Sequence, residues 1–359
     1  MKKPQRLRPK DKVAIVSLSS GMMGEEAFLH KYTLAKQRLE QDYGLEVVTM
    51  PNALKGQAYL YQHPEARAAD WMQAFADPEI KAIFNAIGGD DAIRLLPYID
   101  DKIIAQNPKI FTGFSDTTVN HFMMYQAGIV SYYGLSVMNQ LAEYVEINPY
   151  TRKAIDTMLM HPQAPYTIPA SPFASYETDR IDWANENQHL STPRYPNEGY
   201  VVVQGHGKVT GELLGGCVDV FVSLMGTPLW PTLDQWKGKL LLMETSEMDM
   251  PLYLFAEILR NLEAQGILDV IAGIVFGKPA FKKKIEPYHQ VLRQILQVEN
   301  AHQDLVVLGN VNIGHAYPTG ILALGLPYEI DCEQKNIQAP GRKLSMTVFF
   351  AFISKVPKW

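Results

Sequence analysis

A serine that follows a predicted strand is the first residue with the setting of a nucleophile. Residues 109–118 read KIFTGFSDTT, an apolar run followed by Gly-x-Ser-Asp and the start of a predicted helix. In a tight strand-to-helix turn the hydroxyl of Ser115 is exposed, and the backbone N–H of Asp116 faces the same space. That geometry suits attack on a carbonyl with an oxyanion donor beside the serine. The alternative is an ordinary helix N-cap, for which Ser and Asp are favoured.

A pair of glycines follows the preceding predicted strand, in the sequence IGGDD at 87–91. Because glycine lets the backbone approach a ligand closely, the N–H of Gly88 or Gly89 is a candidate second oxyanion donor. Asp90 is a candidate substrate contact at the same turn. Two alternatives remain open: a phosphate and Mg²⁺ site of a nucleotide-dependent kinase, and a plain turn with an acidic helix cap.

Activation of a serine requires a base and a group that orients the base. His315 follows an apolar predicted strand, in a loop bounded by glycine and proline. Glu244 ends another apolar strand, where a carboxylate needs a partner because burial of an unpaired charge is costly. These positions predict that His315 takes the proton of Ser115 and that Glu244 orients His315. Glu247 is the alternative acid, a helix cap or a substrate contact.

Charge and composition exclude several classes of function. The chain has 359 residues, 33 Lys or Arg and 38 Asp or Glu, and a formal net charge of −5. A mildly acidic chain without a long basic run is a poor partner for nucleic acid or an anionic membrane surface. The apolar stretch 347–353 is far shorter than the roughly 20 residues that span a bilayer. The run 13–16 is too short for a secretory signal, whose apolar region has about 7–15 residues, so we expect a cytoplasmic protein.

Metal and cofactor templates are absent from the sequence. It contains no HExxH, no CxxC and no pair of histidines at i and i+4, the spacings typical of metal sites. Cys217 and Cys332 are too few for a disulfide framework and are expected to be buried apolar residues. The first strand-to-helix turn lacks the GxGxxG fingerprint of dinucleotide sites. We therefore expect neither a metal nor an organic cofactor.

The order of elements predicts an α/β fold in two domains. Strands and helices alternate through residues 1–160, which predicts a doubly wound, Rossmann-like parallel sheet with ligands beyond the strands' carboxyl ends. Residues 161–199 are rich in proline and aromatic residues and predict a linker or a functional loop. Residues 200–359, with a glycine-rich stretch at 205–216, predict a second α/β domain, and the active site lies between the two. The predicted strands are 13–19, 45–50, 82–87, 109–114, 129–133, 200–204, 239–243, 271–276, 305–308 and 344–353, and the predicted helices are 25–42, 65–75, 91–105, 117–127, 251–264 and 287–297.

Five segments, taken in order, resemble the LD-carboxypeptidase family of serine peptidases. This family includes muropeptide LD-carboxypeptidases and microcin C immunity peptidases, and the resemblance covers nearly the whole chain. It implies a parallel α/β N-terminal domain with the nucleophile, a C-terminal domain with the glutamate and the histidine, a homodimer and no cofactor. The segments are AIFNAIGGDDAIRLLPYID at 82–100, GFSD at 113–116, GELLGG at 211–216, LME at 242–244 and GH at 314–315.

The resemblance also implies roles for individual residues. Ser115 corresponds to the nucleophile, His315 to the general base and Glu244 to the orienting acid. The N–H of Asp116, together with Gly88 or Gly89, corresponds to the oxyanion hole.

The motifs IGGDD, RLLP and ETSE are closer to the microcin immunity branch of the family. Enzymes of that branch cleave the amide between an aminoacyl or peptidyl group and a modified nucleotide, and aromatic residues of a long loop stack on the base. In this chain the candidates are Phe173, Tyr176 and Trp183. Trp183 has the alternative role of packing the loop against the second domain.

These observations predict a metal-independent serine peptidase that hydrolyses an amide in a small peptide or in a peptidyl- or aminoacyl-nucleotide conjugate. The alternative within the class is a murein tetrapeptide LD-carboxypeptidase, which releases terminal D-alanine in cell-wall recycling with the same three residues. A kinase built on the Gly-Gly-Asp-Asp turn and a non-catalytic binder are more distant alternatives. Both leave Glu244 and His315 without a role.

Overall fold

Two β-sheets flanked by helices organise the chain in the computed structural model, which describes residues 1–162 and 165–339. The predicted strand 344–353 lies outside the described residues. The strands are β1 (Lys12–Val16), β2 (Glu46–Thr49), β3 (Ile80–Asn85), β4 (Ile110–Gly113), β5 (Ser131–Tyr133), β6 (Tyr166–Ile168), β7 (Phe173–Ala174) and β8 (Tyr195–Pro196). They continue with β9 (Val201–Gln204), β10 (Lys208–Cys217), β11 (Leu240–Glu244), β12 (Gly273–Gly277), β13 (Val306–Val311), β14 (Leu322–Leu324), β15 (Pro327–Asp331) and β16 (Asn336–Ala339).

The helices alternate with the strands along most of the chain, as the sequence predicts. Short 3₁₀ and π turns extend several of them. The α-helices are α1 (Leu29–Gln41), α2 (Gln57–Gln62), α3 (Pro64–Ala76), α4 (Asp101–Gln106), α5 (Thr118–Gln126), α6 (Pro149–Ile155), α7 (Val218–Leu224), α8 (Leu233–Trp236), α9 (Leu252–Ala264), α10 (Ile267–Val270) and α11 (Ile285–Arg293).

The first sheet has the strand order β14-β5-β4-β3-β1-β2. Strands β1 to β5 pair in parallel, and β14, from the distant C-terminal part of the chain, pairs antiparallel with β5. Strands β3 and β4 are neighbours, so the turns that follow them lie side by side at one edge of the sheet. This arrangement brings the Gly-Gly turn and the serine turn together, as expected for the carboxyl ends of parallel strands.

The second sheet has the order β6-β16-β15-β10-β11-β12-β13-β9. Its centre, β10 to β13, is parallel, and its outer strands pair antiparallel. The two sheets, each with a parallel centre and helices around it, confirm the predicted α/β fold class. The domain limits at 160 and 200 remain predictions. Strands β6 and β14 each pair with a strand from the other side of at least one of those limits.

Three of the segments interpreted from the sequence have a structure that differs from the expected one. The glycine-rich stretch 205–216 contributes most of the ten-residue strand β10, in which Gly215 lets β11 approach closely: a Cβ there would lie 2.0 Å from the Leu242 carbonyl oxygen. The predicted helix 91–105 is a 3₁₀ segment followed by α4, because Pro97 interrupts it. Within the described part of 161–199, the predicted linker or functional loop contains three short strands.

Aromatic packing holds α5 against the second half of the chain. The ring of Phe122 in α5 stacks on Trp230 with 5.7 Å between centroids and meets Phe221 of α7 edge to face at 6.4 Å. Such pairs add about 0.5–1.5 kcal/mol each beyond the burial of their area. Since α5 begins directly after the serine turn, this cluster fixes the turn relative to the second sheet.

A buried arginine ties the first helices to the Gly-Gly turn. The guanidinium of Arg67, in α3, binds both carboxylate oxygens of Asp91 at 2.6 and 2.9 Å. It also donates to the carbonyls of Leu18 and Ser19, which follow β1. Arg94 binds the same Asp91 carboxylate at 2.9 Å but is 39% exposed, whereas the side chain of Arg67 is fully buried.

Within residues 1–162 and 165–339, no helix is both long and apolar enough to cross a bilayer.

Replacement of these two arginines should separate a buried ion pair from an exposed one. We expect Arg67→Ala to lower the free energy of unfolding by about 3–5 kcal/mol, because it leaves a largely buried carboxylate short of its main partner. Arg94→Ala should cost at most about 1 kcal/mol, as exposed pairs do. Urea unfolding followed by circular dichroism measures the free energy of unfolding of both variants. Equal losses in the two would contradict the assignment of Arg67 as the main partner of Asp91.

Candidate active site

The serine turn has an unusual backbone. Strand β4 ends at Gly113, α5 begins at Thr118, and Ser115 between them has φ +61°. Residues with a side chain rarely adopt this left-handed conformation, and it is typical of functional turns that surrounding structure enforces. Gly113 is required by the same turn, because a Cβ there would lie 2.3 Å from the Thr117 methyl carbon. The turn therefore presents Ser115 as expected for a nucleophile at a strand end.

The Gly-Gly turn lies directly against Ser115. A Cβ on Gly88 would lie 2.8 Å from the Ser115 Cβ, 3.0 Å from its Oγ and 3.4 Å from the Asp116 nitrogen. Any larger residue at this position would collide with the serine. The backbone of Gly88 thus lies beside both the Ser115 hydroxyl and the Asp116 nitrogen.

The side chain of Asp116 holds the serine turn in place. Its buried carboxylate accepts a hydrogen bond from Ser19 Oγ at 2.5 Å and one from the Ala92 N–H at 2.8 Å. Burial raises the pKa of Asp116 above its usual value, against the effect of these donors. The contacts connect the turns after β1, β3 and β4, so the side chain of Asp116 supports the serine turn.

Glu244 and His315 form a buried pair. Glu244, at the end of β11, is 1% exposed, and its Oε2 lies 2.7 Å from His315 Nδ1 and accepts the His315 N–H at 3.2 Å. Gly314, with φ +69°, makes this approach possible, because a Cβ there would lie 2.3 Å from Glu244 Cδ. The carboxylate on Nδ1 leaves Nε2 as the nitrogen for proton transfer, which is how a base is oriented in serine hydrolases.

Tyr133 connects the two sheets at this point, and the sequence analysis did not identify it. Its hydroxyl donates to Glu244 Oε1 at 2.6 Å and accepts the Ser115 N–H at 3.2 Å. Burial and the nearby Glu244 carboxylate raise the pKa of Tyr133 well above its usual value, so the phenol stays protonated. The signal in the sequence was weak: a tyrosine at the end of the last parallel strand of the first sheet.

Glu247 faces the other nitrogen of His315. Its Oε2 lies 3.0 Å from Nε2. Burial lowers the pKa of His315, but Glu244 and Glu247 outweigh this effect and raise it to about 10. The contact with His315 lowers the pKa of Glu247 to about 2. Both carboxylates therefore favour the imidazolium form of His315 over the neutral base.

One cavity of about 710 Å³ contains most of the predicted site residues. This volume is in the range of small-molecule and cofactor sites, about 300–1,000 Å³. Phe173 lies outside it: β7 turns that side chain to solvent and buries Ala174 instead. Glu244 lies behind His315 rather than on the wall. The lining residues that the sequence predicted are Gly88, Gly89, Asp90, Ser115, Asp116, Tyr176, Trp183, Glu247 and His315.

Trp183 packs against the first half of the chain, not against the second domain. Its indole meets Phe28 edge to face at 6.1 Å. The ammonium of Lys31 and the guanidinium of Arg180 lie 4.5 and 4.7 Å from its ring. Lys31 is almost completely buried, and burial lowers its pKa to about 7. This wall of the cavity, completed by Tyr144, combines aromatic faces with cationic groups.

Two groups of side chains have the composition of a metal site. Cys217, Glu244 and His315 place one ligand atom each within 4.8 Å of one another, but both oxygens of Glu244 already accept hydrogen bonds. Burial raises the pKa of the Cys217 thiol well above its usual value, which disfavours the thiolate that binds metals. The second group, Glu263, Asp269 and His302, lies at the surface and forms ion pairs. Neither donor set favours a metal.

Comparison with known proteins identifies the family of this chain. The family model for the LD-carboxypeptidase N-terminal domain matches residues 13–134, and the model for the C-terminal domain matches residues 210–330. The microcin C7 self-immunity protein MccF of Escherichia coli is 28% identical over 287 residues, 78% of this chain and 79% of that protein. A probable murein peptide carboxypeptidase of Bacillus subtilis is 27% identical over 308 residues, 82% of this chain and 83% of that protein.

A solved structure extends the comparison to the fold. An MccF-like protein of Streptococcus pneumoniae, crystallised with AMP, is 33% identical, has a TM-score of 0.84, and the match covers 92% of this chain and 98% of that one. The chain belongs to the LD-carboxypeptidase family and is a serine carboxypeptidase by class, which confirms the resemblance seen in its motifs. The non-catalytic binder is thereby excluded. The kinase alternative loses its support, because Asp91 is engaged by two arginines.

Removal of the Tyr133 hydroxyl should destabilise the site. We expect Tyr133→Phe to lower the free energy of unfolding by about 1–3 kcal/mol, because it leaves a buried Glu244 oxygen without its donor. Tyr132→Phe is the matched control, since the adjacent strand residue faces the opposite side of the sheet. Thermal and urea unfolding compare the two variants. A loss in Tyr133→Phe no larger than in the control would contradict the role given to the hydroxyl.

Proposed function

We propose that this protein is a metal-independent serine peptidase in which Ser115, His315 and Glu244 form the catalytic triad. The observation that carries the proposal is that a serine in a left-handed turn and a carboxylate-oriented histidine open into one cavity. A nucleophile, a base and an orienting acid are the parts that acyl transfer requires. Family membership supports the reaction class independently of the geometry.

The reaction follows from the roles of these groups. Nε2 of His315, once neutral, takes the proton of Ser115 while Oγ attacks the scissile carbonyl. Backbone N–H groups of Asp116 and of Gly88 or Gly89 hold the oxyanion, and each such donor contributes about 10²–10³ in rate. The imidazolium then gives its proton to the leaving amine, and water hydrolyses the acyl-enzyme by the same steps in reverse.

We propose an aminoacyl- or peptidyl-nucleotide conjugate as the substrate. The cavity is larger than a terminal D-alanine requires, and its lining includes the aromatic rings of Tyr144, Tyr176 and Trp183. Lys31 and Arg180 beside Trp183 would suit a phosphate or sulfamate group. Among relatives, the Streptococcus pneumoniae protein was crystallised with AMP, and MccF has been solved with aspartyl sulfamoyl adenosine.

A murein tetrapeptide is the second candidate substrate. The specific support is the Bacillus subtilis relative, a probable murein peptide carboxypeptidase that is nearly as similar as MccF. The same triad would release terminal D-alanine, so triad variants do not distinguish the two substrates.

Incubation of the purified protein with both substrates should decide between them. We expect release of the free amino acid from an aminoacyl-sulfamoyl adenosine, measured by mass spectrometry, and little D-alanine from a murein tetrapeptide. Ser115→Ala should lose activity by about 10⁴-fold or more, as removal of a triad nucleophile does.

Ser223→Ala is the matched control for this experiment. Ser223 lines the same cavity, but its hydroxyl donates to the Val220 carbonyl in its own helix, so we expect activity within about twofold. Undiminished hydrolysis by Ser115→Ala would refute the triad. D-alanine release alone would make the protein a cell-wall recycling enzyme.

Trp183 should affect one substrate and not the other. We expect Trp183→Leu to raise KM for the adenosine conjugate by about tenfold, since stacking of a base on an aromatic ring is worth about 1–3 kcal/mol. Hydrolysis of a short aminoacyl amide that lacks the base should change little. Steady-state kinetics on both compounds make the comparison, and an equal loss on both would show that Trp183 only holds the fold.

A further inference from the structure

The catalytic nitrogen of His315 is occupied by a carboxylate of the protein itself. In the proposed mechanism Nε2 must accept the proton of Ser115, yet in this structure Nε2 lies 3.0 Å from Glu247 Oε2. The opposite nitrogen, Nδ1, lies 2.7 Å from Glu244 Oε2. An imidazole held between two carboxylates is stabilised as the cation, and a cation cannot act as a base.

The two carboxylates are held very differently. Glu244 is 1% exposed, with hydrogen bonds to both oxygens. Glu247 lies on the loop after β11, its side chain is 40% exposed, and no well-directed donor reaches its buried Oε2. The preceding Ser246 is anchored, because its N–H and hydroxyl bind the Asp219 carboxylate. Glu244 is therefore fixed, whereas the Glu247 side chain is free to pair with a better donor.

The charges around the pair indicate which donor could compete. The groups that face His315 and its carboxylates are Tyr133 from β5, Cys217 from β10 and Arg180 from the Pro-rich segment. Asp90 and Asp219 also line the cavity, and of the two cations at Trp183, Lys31 and Arg180, only Arg180 acts on Glu247. A carboxylate among other carboxylates attracts a cationic ligand group and repels an anionic one.

We propose that Glu247 is a specificity residue that blocks His315 in the free enzyme and releases it by pairing with an ammonium group on the acyl part of the substrate. This inference rests on the proposed function. When the ammonium takes Glu247, the imidazolium loses one of its two carboxylates and gives its proton to water. The neutral Nε2 then accepts the proton of Ser115. A substrate whose amine is acylated cannot displace Glu247 in this way, so selection for a free α-amino group is built into the activation of the base.

Binding to the inactive Ser115→Ala protein tests recognition without requiring turnover. The probes are an aminoacyl-sulfamoyl adenosine with a free α-amino group and its N-acetyl derivative, measured by titration calorimetry. We expect the free amine to bind about 10- to 100-fold more tightly, as charged hydrogen bonds contribute. In Ser115→Ala/Glu247→Gln the preference should fall below about threefold. A preference that survives this change, or none in Ser115→Ala itself, would overturn the proposal.

The titration of His315 tests the block directly. NMR of ¹³C-histidine-labelled protein, with His315 assigned from the spectrum of His315→Gln, follows its protonation with pH. The raised pKa of His315 means that its cation persists until the pH rises through that pKa. Because Glu247→Gln removes one of the two carboxylates that raise it, this change should move the titration of His315 to lower pH. Glu263→Gln is the matched control, because it breaks a glutamate–histidine pair, to His302 at 2.8 Å, outside the cavity. An unchanged His315 titration in Glu247→Gln would overturn the proposal.

Kinetics separate the failure of this proposal from the failure of the proposed function. In the wild-type protein, the acid limb of kcat/KM should follow the titration of His315, and Glu247→Gln should shift that limb to lower pH. Hydrolysis that persists in Ser115→Ala would reject the proposed triad. The effect of Glu247 on the titration of His315 would still be measurable by NMR. Loss of activity in Ser115→Ala with an acid limb unmoved by Glu247→Gln would retain the triad and reject the role of Glu247.

Discussion

A single buried carboxylate, that of Glu244, constrains how the two halves of this protein meet. An ionised group so deeply buried costs several kcal/mol unless it is paired and hydrogen-bonded. Its partners come from both halves. Tyr133, the last residue of β5 in the first sheet, donates its hydroxyl hydrogen bond. His315, in the loop after β13, contributes a ring nitrogen and a backbone N–H. Because Tyr133 also receives the Ser115 N–H, the docking of the sheets and the placement of the serine depend on the same few hydrogen bonds.

The three residues that the sequence predicted for the triad all end or follow buried strands. Ser115, Glu244 and His315 were identifiable because parallel sheets place their functional turns at the carboxyl ends of strands. Tyr133 was not identifiable, since its role depends on which strand of the second sheet faces it, and nothing local in the sequence encodes that contact. Phe173 was misplaced for a related reason: in a two-residue strand, one position of difference decides whether a side chain faces the cavity or solvent.

The fold was predictable where hydrophobic periodicity is strong and not where pairing is distant. The strands of the first sheet were expected within a few residues of their positions, but β14 was not expected to complete that sheet from beyond residue 320. The long strand β10 was hidden by its glycines. These glycines are needed because β11 and Thr118 approach the strand too closely for side chains, so a composition typical of turns marks close packing instead.

The residues between the two family models supply much of one wall of the cavity. The two family models match residues 13–134 and 210–330, which contain Ser115, Tyr133, Glu244, Glu247 and His315. The segment between the matches contains Tyr144, Tyr176, Arg180 and Trp183, which form the aromatic and cationic wall of the cavity. A microcin immunity protein and a murein peptide carboxypeptidase are almost equally similar to this chain, so overall identity does not separate the two kinds of substrate. Under the proposed function, discrimination between such substrates has two sources: the intervening segment, whose aromatic rings would contact the nucleoside, and Glu247, within the C-terminal match, which would contact the amine.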